Sequence, residues 1–276
     1  NADTKGNLII IGGAEDKQGK CEILNRVVKM SGGCNSKTVI MTTATEHPKE
    51  VGNEYKGIFI KLGVKIIDIV NINERHDADN DDYVNVLNNA TCIFFTGGDQ
   101  LRITSLLGGT PAYEALHNAY DRGTLLVGTS AGASAMSSNM IVTGNDDDAP
   151  KYCTLKMAPG LGLLNDVIID QHFAQRGRIG RLLVAVAENP HMLGVGIDED
   201  TAIIVDNSGF EVIGSQSVTV VDGTYITHTN VSELMPHEPI GITGVLLHIL
   251  PKGYRFELKT RKPILPHKKD TNEEDR

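Results

Sequence analysis

The chain has 276 residues, a formal net charge of −9, 40% hydrophobic and 22% charged residues, four cysteines and no tryptophan. A chain of this length can bury a core without disulfides or metals. Its composition excludes collagen-like, coiled-coil and largely disordered classes, no run approaches ~18 uninterrupted apolar residues as a membrane span requires, and the acidic balance disfavours a nucleic-acid partner. Glycine is the outlier: 29 residues against a usual ~7%, so tight turns and close backbone approaches carry weight here. Cys21, Cys34, Cys92 and Cys153 form no C-x-x-C pair, which argues against a zinc ribbon or thioredoxin motif and fits a reducing compartment. No signal-peptide pattern is visible at Asn1, although the chain begins without Met and a removed leader is the alternative; a cytoplasmic location is the default expectation and a secreted one the alternative.

In chain order, Leu8–Ile11 reads as a buried strand. Cys21, Ile23, Leu24, Val27 and Val28 follow helical spacing, and Gly32-Gly33 stops that helix. Thr38–Met41 is the next strand. Val51, Tyr55, Ile58, Phe59 and Leu62 mark one face of a helix ending at Gly63, and Val64–Val70 is a strand. Tyr83–Leu87 lies on a short helix and Cys92–Phe95 on a strand. Thr110 caps a helix that opens on Pro111 and closes at Gly123, and Leu125–Val127 is another apolar run. Continuous apolar strands separated by helices imply α/β architecture, a predominantly parallel sheet with helices on both faces. After Asp200 short strands dominate: Ala202–Val205, Glu211–Ile213, Val218–Val221, Val245–Leu250 and Tyr254–Leu258. These read as a β-rich C-terminal extension of one domain over residues 1–261. Residues 262–276 read as a charged, disordered tail.

The glycines cluster after strands. Gly128-Thr129-Ser130-Ala131-Gly132 is G-x-S-x-G in a strand–turn–helix setting, the nucleophile-elbow arrangement. A serine there needs a strained backbone to project its Oγ above the sheet, and the Ala131 N–H faces the position where an oxyanion would form. The plainer alternative is a structural serine in a tight turn. Thr96-Gly97-Gly98-Asp99-Gln100 follows another strand and offers Gly98 N–H as a second oxyanion donor, or serves as a simple turn. Ile11-Gly12-Gly13-Ala14-Glu15-Asp16 lacks dinucleotide or P-loop spacing and reads as a tight turn near the same crevice. Among nine histidines, His172 stands out, because it closes the apolar run Val167–Ile169 at a strand's carboxyl edge. An orienting acid is available in Asp198, Glu199 or Asp200, which spacing does not separate. All these groups are expected at the carboxyl edge of one sheet. The order Ser…His…acid differs from the Ser…acid…His order of ordinary α/β-hydrolases.

Taken together, GGAEDK, FFTGGDQLRI, GTSAGASAM, the DQHF stretch with its following arginines, and GVGIDEDTA resemble the cyanophycinases. These are serine exopeptidases of a family that also contains aspartyl dipeptidases, and the resemblance runs from about Leu8 to Leu258. It implies a fold like the class I glutamine amidotransferases (flavodoxin-like), a homodimer, and no metal or organic cofactor. Residue by residue it implies Ser130 as nucleophile, His172 as base, Glu199 as acid, and Gly98 and Ala131 as oxyanion donors. Gln100, Asp170, Gln171, Arg178 and Arg181 are implied in the substrate pocket, although arginines on a helix otherwise read as a solvated face. The implied substrate is cyanophycin, an aspartate-backbone polymer with arginine on each β-carboxyl, and the implied product is β-Asp-Arg. An aspartyl or isoaspartyl dipeptidase of the same family is the nearest alternative. A non-catalytic ligand-binding α/β module is the alternative of another class. The Gly144–Tyr152 loop, with Asp146–Asp148, lies outside the pattern.

Overall fold

The computed structural model describes residues 6–266. The first half alternates strand and helix: β1 (Leu8–Ile11), α1 (Glu22–Met30), β2 (Lys37–Met41), α2 (Pro48–Lys61), β3 (Ile66–Val70), α3 (Asp81–Asn89), β4 (Cys92–Phe95), α4 (Gln100–Leu107), α5 (Pro111–Asp121) and β5 (Leu125–Thr129). Then come α6 (Ala131–Ser134), β6 (Asn139–Thr143), β7 (Lys156–Pro159), β8 (Val167–Gln171), α7 (Ile179–Glu188), β9 (Leu193–Ile197) and β10 (Thr201–Val205). The remainder is strand-rich: β11 (Gly209–Gly214), β12 (Ser217–Asp222), β13 (His228–Thr229), β14 (Ile242–Thr243), β15 (Leu246–Pro251), β16 (Arg255–Glu257) and β17 (Lys262–Ile264). Local signals set several boundaries. Thr110 Oγ1 accepts from Tyr113 N–H at 3.2 Å with Pro111 opening α5, and Gly32 (φ +113°) and Gly63 (φ +94°) follow α1 and α2.

A nine-stranded sheet runs β17-β16-β11-β10-β1-β5-β4-β2-β3. Its β1-β5-β4-β2-β3 half is parallel, and β10, β11, β16 and β17 extend it antiparallel beyond β1. A second sheet, β15-β12-β9-β8, is parallel only at β8–β9. Every residue of β1 is buried because both faces are covered. Ile9 and Ile11 pack with Ile23, Leu24, Tyr55 and Phe59 of α1 and α2. Leu8 and Ile10 pack in the large core that holds α5 and the inner faces of β8 and β9. Ile168 faces the other way, against Leu182, Ala185 and Val186 of α7. The layers are therefore helices, large sheet, a mixed layer of helices and second sheet, and α7 outermost.

Two expectations need correction. The sheet is mixed rather than predominantly parallel, and β8, β9 and β12 leave it for a sheet of their own. The tail does not begin at Lys262: Lys262–Ile264 pairs antiparallel with Arg255–Glu257 and closes the sheet edge. The rest of that expected tail, from residue 267, lies outside the described residues.

Candidate active site

The G-x-S-x-G segment leaves β5 in a turn that only small residues allow. A Cβ on Gly128 would lie 2.2 Å from Gly132 O, and one on Gly132 would lie 2.6 Å from Phe95 O. Ser130 sits at φ 53°, ψ −113°, a sparsely populated conformation for a side-chain-bearing residue. Its N–H donates to Ile11 O at 3.1 Å. His172 follows β8 at φ 47°. Its Nε2 is 3.0 Å from Ser130 Oγ, and its Nδ1 is 2.7 Å from Glu199 Oε1. A carboxylate can only accept, so Nδ1 carries the proton and Nε2 presents its lone pair to the serine hydroxyl. The imidazole is 12% exposed and the carboxylate 37%.

The three acids after β9 have separate tasks. Glu199 reaches His172, and its own N–H donates to Gln175 Oε1 at 2.9 Å. Asp198 accepts from Ala174 N–H (3.0 Å) and Ser217 N–H (3.3 Å), and burial raises its pKa. Asp200 accepts from Asp16 N–H (2.9 Å) and the Ser215 hydroxyl (2.7 Å). The three candidates come from two sheets, not one. Ser130 ends a strand of the large sheet, whereas His172 and Glu199 follow neighbouring strands of the second.

Gly97 lies against the candidate nucleophile, since a Cβ on it would be 3.3 Å from Ser130 Cβ. Gly98 (φ +140°) passes so close to the Ala44 carbonyl that a Cβ would fall 2.0 Å from its oxygen. Among the described residues, neither Gly98 N–H nor Ala131 N–H donates to a protein acceptor.

The expected pocket residues do converge, but as a buried brace. Asp170 is fully buried, and Arg178 and Arg181 are 5% and 7% exposed. Asp170 receives Arg181 Nε at 2.7 Å and Nη2 at 2.5 Å. Arg178 donates through Nη1 to Gln171 O and through Nε to Asp146 Oδ1, both at 2.7 Å. Arg181 Nη1 reaches the same Asp146 oxygen at 3.3 Å. They do not form the solvated helix face that helical spacing allows: both are buried, and their bonds run to Asp146, Asp170 and Gln171 O. Gln100 is likewise engaged, donating from Nε2 to Ile141 O at 2.7 Å. Gln171 alone of the five touches the candidate nucleophile, with Oε1 3.4 Å from Ser130 Oγ.

Comparison with known proteins gives the family. A family model described as Peptidase family S51 matches residues 8–213. The chain belongs to peptidase family S51. Relatives within reach of this S51 peptidase include a cyanophycinase of Geminocystis herdmanii (strain PCC 6308), 38% identical over 94% of this chain and 96% of its own. A cyanophycinase of Nostoc sp. (strain PCC 7120) is 40% identical over 95% of this chain and 89% of its own. Among solved structures, a peptidase from an acI-B1 Actinobacterium superposes with a TM-score of 0.66 at 19% identity, covering 92% of this chain and 97% of that one. A putative Peptidase E protein from Listeria monocytogenes EGD-e superposes at 0.55 with 16% identity, over 77% and 100%. These two share the fold.

Among the described residues no group of His, Cys, Asp or Glu is placed to hold a metal ion, and no helix is long and apolar enough to cross a membrane. Two groups of residues escaped the sequence reading. Asp146 sits in the acidic loop, where its charge had no visible partner. Burial opposes its ionisation, but the hydrogen bond and charge of Arg178 and the charge of Arg181 leave its pKa below the usual carboxylate value. Glu15, Thr129 and Tyr55 form a buried cluster beside Ser130. The only signal for it was an acidic residue inside a glycine turn.

Proposed function

We propose that this S51 peptidase is a serine-type exopeptidase that hydrolyses cyanophycin to β-Asp-Arg. The observation that carries the reading is the unbroken hydrogen-bond chain Ser130–His172–Glu199, with spacings of 3.0 and 2.7 Å. Its companions are the relatives named cyanophycinase that match almost the whole length. Ser130 Oγ attacks the Asp–Asp backbone carbonyl while His172 Nε2 takes its proton. Glu199 holds the Nδ1–H tautomer and stabilises the imidazolium. Gly98 and Ala131 N–H groups receive the developing oxyanion; one such donor is typically worth about 3–4 kcal/mol in kcat. The imidazolium returns its proton to the leaving amine, and a water activated by His172 then releases the acyl group from Ser130. The buried Asp170–Arg181–Arg178–Asp146 network holds the Gln171–His172 turn and presents Gln171 at the pocket wall. The parallel half of the large sheet, with the nucleophile at the end of an inner strand, supports the expected kinship with class I glutamine amidotransferases.

Incubating cyanophycin with wild type and Ser130→Ala, with Asp-X and isoaspartyl dipeptides in parallel, tests the reading by mass spectrometry. β-Asp-Arg from wild type alone is expected. Equal release by both proteins refutes the triad. Dipeptide turnover without polymer turnover refutes the substrate.

A further inference from the structure

One short segment touches every loop of the candidate triad. Three successive carbonyls leave the end of β1. Ile11 O accepts Ser130 N–H at 3.1 Å, Gly12 O accepts His172 N–H at 2.8 Å, and Gly13 O accepts Asp200 N–H at 2.9 Å, the residue after Glu199. Asp16 N–H then donates back to the Asp200 carboxylate at 2.9 Å. Carbonyls along a regular strand alternate in direction, so three neighbours serving three loops requires a twisted path. Gly13 (φ +102°) and Ala14 (φ +46°) supply it. The segment is also wedged in place. A Cβ on Gly12 would lie 2.0 Å from Asp198 O, and one on Gly13 would lie 2.4 Å from His172 Cε1. It is thus a common template for groups carried by two separate sheets.

The far end of this template is fixed by Glu15, which is only 4% exposed. Its Oε2 accepts the Thr129 hydroxyl at 2.7 Å, and its Oε1 accepts the Tyr55 hydroxyl at 2.5 Å. Thr129 immediately precedes Ser130. A strained backbone persists only where its surroundings over-determine it, and the Glu15–Thr129 bond is a side-chain tie on the residue that enters the elbow. Tyr55 in turn packs on Phe94, ring centroids 4.7 Å apart, which anchors the carboxylate to the core of the large sheet. Glu15 also lines a cavity of about 230 Å3 that opens on Ser130 and Gly97. The Coulombic influence of Glu15 and, first, burial raise the Tyr55 pKa well above its usual value, so Tyr55 stays a hydroxyl donor.

We propose that Glu15 is a positioning residue for the nucleophile: through Thr129 and the Ile11–Asp16 template it holds Ser130 Oγ within reach of His172 Nε2. This rests on the assignment of Ser130 as nucleophile. The test compares Glu15→Ala, Glu15→Gln and Thr129→Val with wild type and Ser130→Ala. It measures kcat and KM on cyanophycin, the rate of Ser130 acylation by a fluorophosphonate probe, and the thermal midpoint.

Glu15→Ala is expected to lower kcat and the labelling rate by about 100-fold, the scale of an ångström-sized misplacement, with KM unchanged within error. Glu15→Gln can still accept from one hydroxyl and donate to the other, so it should recover most of that loss. Thr129→Val removes one hydroxyl at nearly constant volume and should lower kcat in the same way. The Glu15→Ala, Thr129→Val double variant should lose little more than either single one, because both break one tie. A folded Glu15→Ala with normal kcat, or with KM raised and kcat kept, overturns the proposal. So does independent addition of the two single effects. If Glu15→Ala does not fold, Thr129→Val decides alone: a normal labelling rate there overturns the proposal. Should Ser130→Ala keep full activity, the nucleophile assignment itself fails; a dead Ser130→Ala beside normal Glu15 and Thr129 variants refutes only the positioning role.

Discussion

Gly13→Ala isolates how closely the candidate base is packed. The added Cβ would meet His172 Cε1 at 2.4 Å and Nε2 at 2.5 Å. Ordinary van der Waals contact starts near 3.4 Å, so the imidazole must retreat by about 1 Å. The same shift carries Nε2 from 3.0 Å toward a separation from Ser130 Oγ at which no hydrogen bond survives. A displacement of that size costs about 100-fold in rate. The backbone adds its own cost, because alanine at φ +102° is strained by about 1–3 kcal/mol. Gly123→Ala separates the two effects. Gly123 has φ +100° and nothing within 4 Å of an added Cβ, so it carries the strain without the clash. Both variants should lower the thermal unfolding midpoint, and only Gly13→Ala should lower kcat. A folded Gly13→Ala with kcat within twofold of wild type would refute the argument, as would equal kcat losses in the two variants.

Three further outcomes are expected. Glu199→Gln should lower kcat by about 10³–10⁴-fold through the wrong imidazole tautomer while leaving the unfolding midpoint nearly unchanged, since Glu199 is over a third exposed; a rate loss below tenfold would return the acid role to its neighbours. Arg181→Met removes the two-point partner of the fully buried Asp170 carboxylate and leaves it Arg178 Nη1 at 3.6 Å and the Gln171 N–H; breaking a buried pair costs up to about 3–5 kcal/mol, read as a fall in urea midpoint at pH 7, and an unchanged midpoint would show the network to be dispensable. Asp146 has a lowered pKa: burial raises it, and Arg178 and Arg181 more than offset that. Its stabilisation is therefore complete above the unfolded carboxylate value near 3.8 and is lost as the pH falls through the lower folded value. The difference in unfolding midpoint between wild type and Asp146→Asn should be largest near neutrality and shrink as the pH falls through the lowered folded value; a difference that does not shrink on acidification would contradict the pairing.

Features legible in the sequence were those set by neighbours along the chain. The elbow is one: a continuous apolar strand, then glycines flanking a serine, then small residues. Its geometry follows from local steric limits, and the structure meets it with Ser130 at positive φ. His172 was legible because an apolar run ends beside it. The acid was not separable by spacing, since Asp198, Glu199 and Asp200 are consecutive. Which of them faces the imidazole depends on the turn after β9 and on Ala174, Ser217 and Asp16, which hold the two aspartates elsewhere. Helical spacing alone left Arg181 as a solvated charge, with the pocket role implied only by the family resemblance, because nothing nearby in sequence could bury it. Its cover comes from the acidic loop, which approaches only because a Cβ on Gly180 would lie 2.0 Å from Asp148 O and none is there.

By itself the sequence determined the α/β class, the places of most strands and helices, and the two groups most directly tied to strand ends, Ser130 and His172. Hydrophobic period, caps and turn residues act over a few residues and can be read in order. Only the tertiary structure decided that two sheets rather than one supply the site, that the pocket arginines form a buried brace, and that the Gly12–Asp16 turn serves all three loops. Those features rest on hydrogen bonds and close backbone approaches between different elements, 7 to 35 positions apart in the brace and more than a hundred in the turn, and no local pattern specifies them. The glycine excess belongs to both accounts: composition announced close approaches, and the fold showed which of them bring Ser130, His172 and Glu199 together.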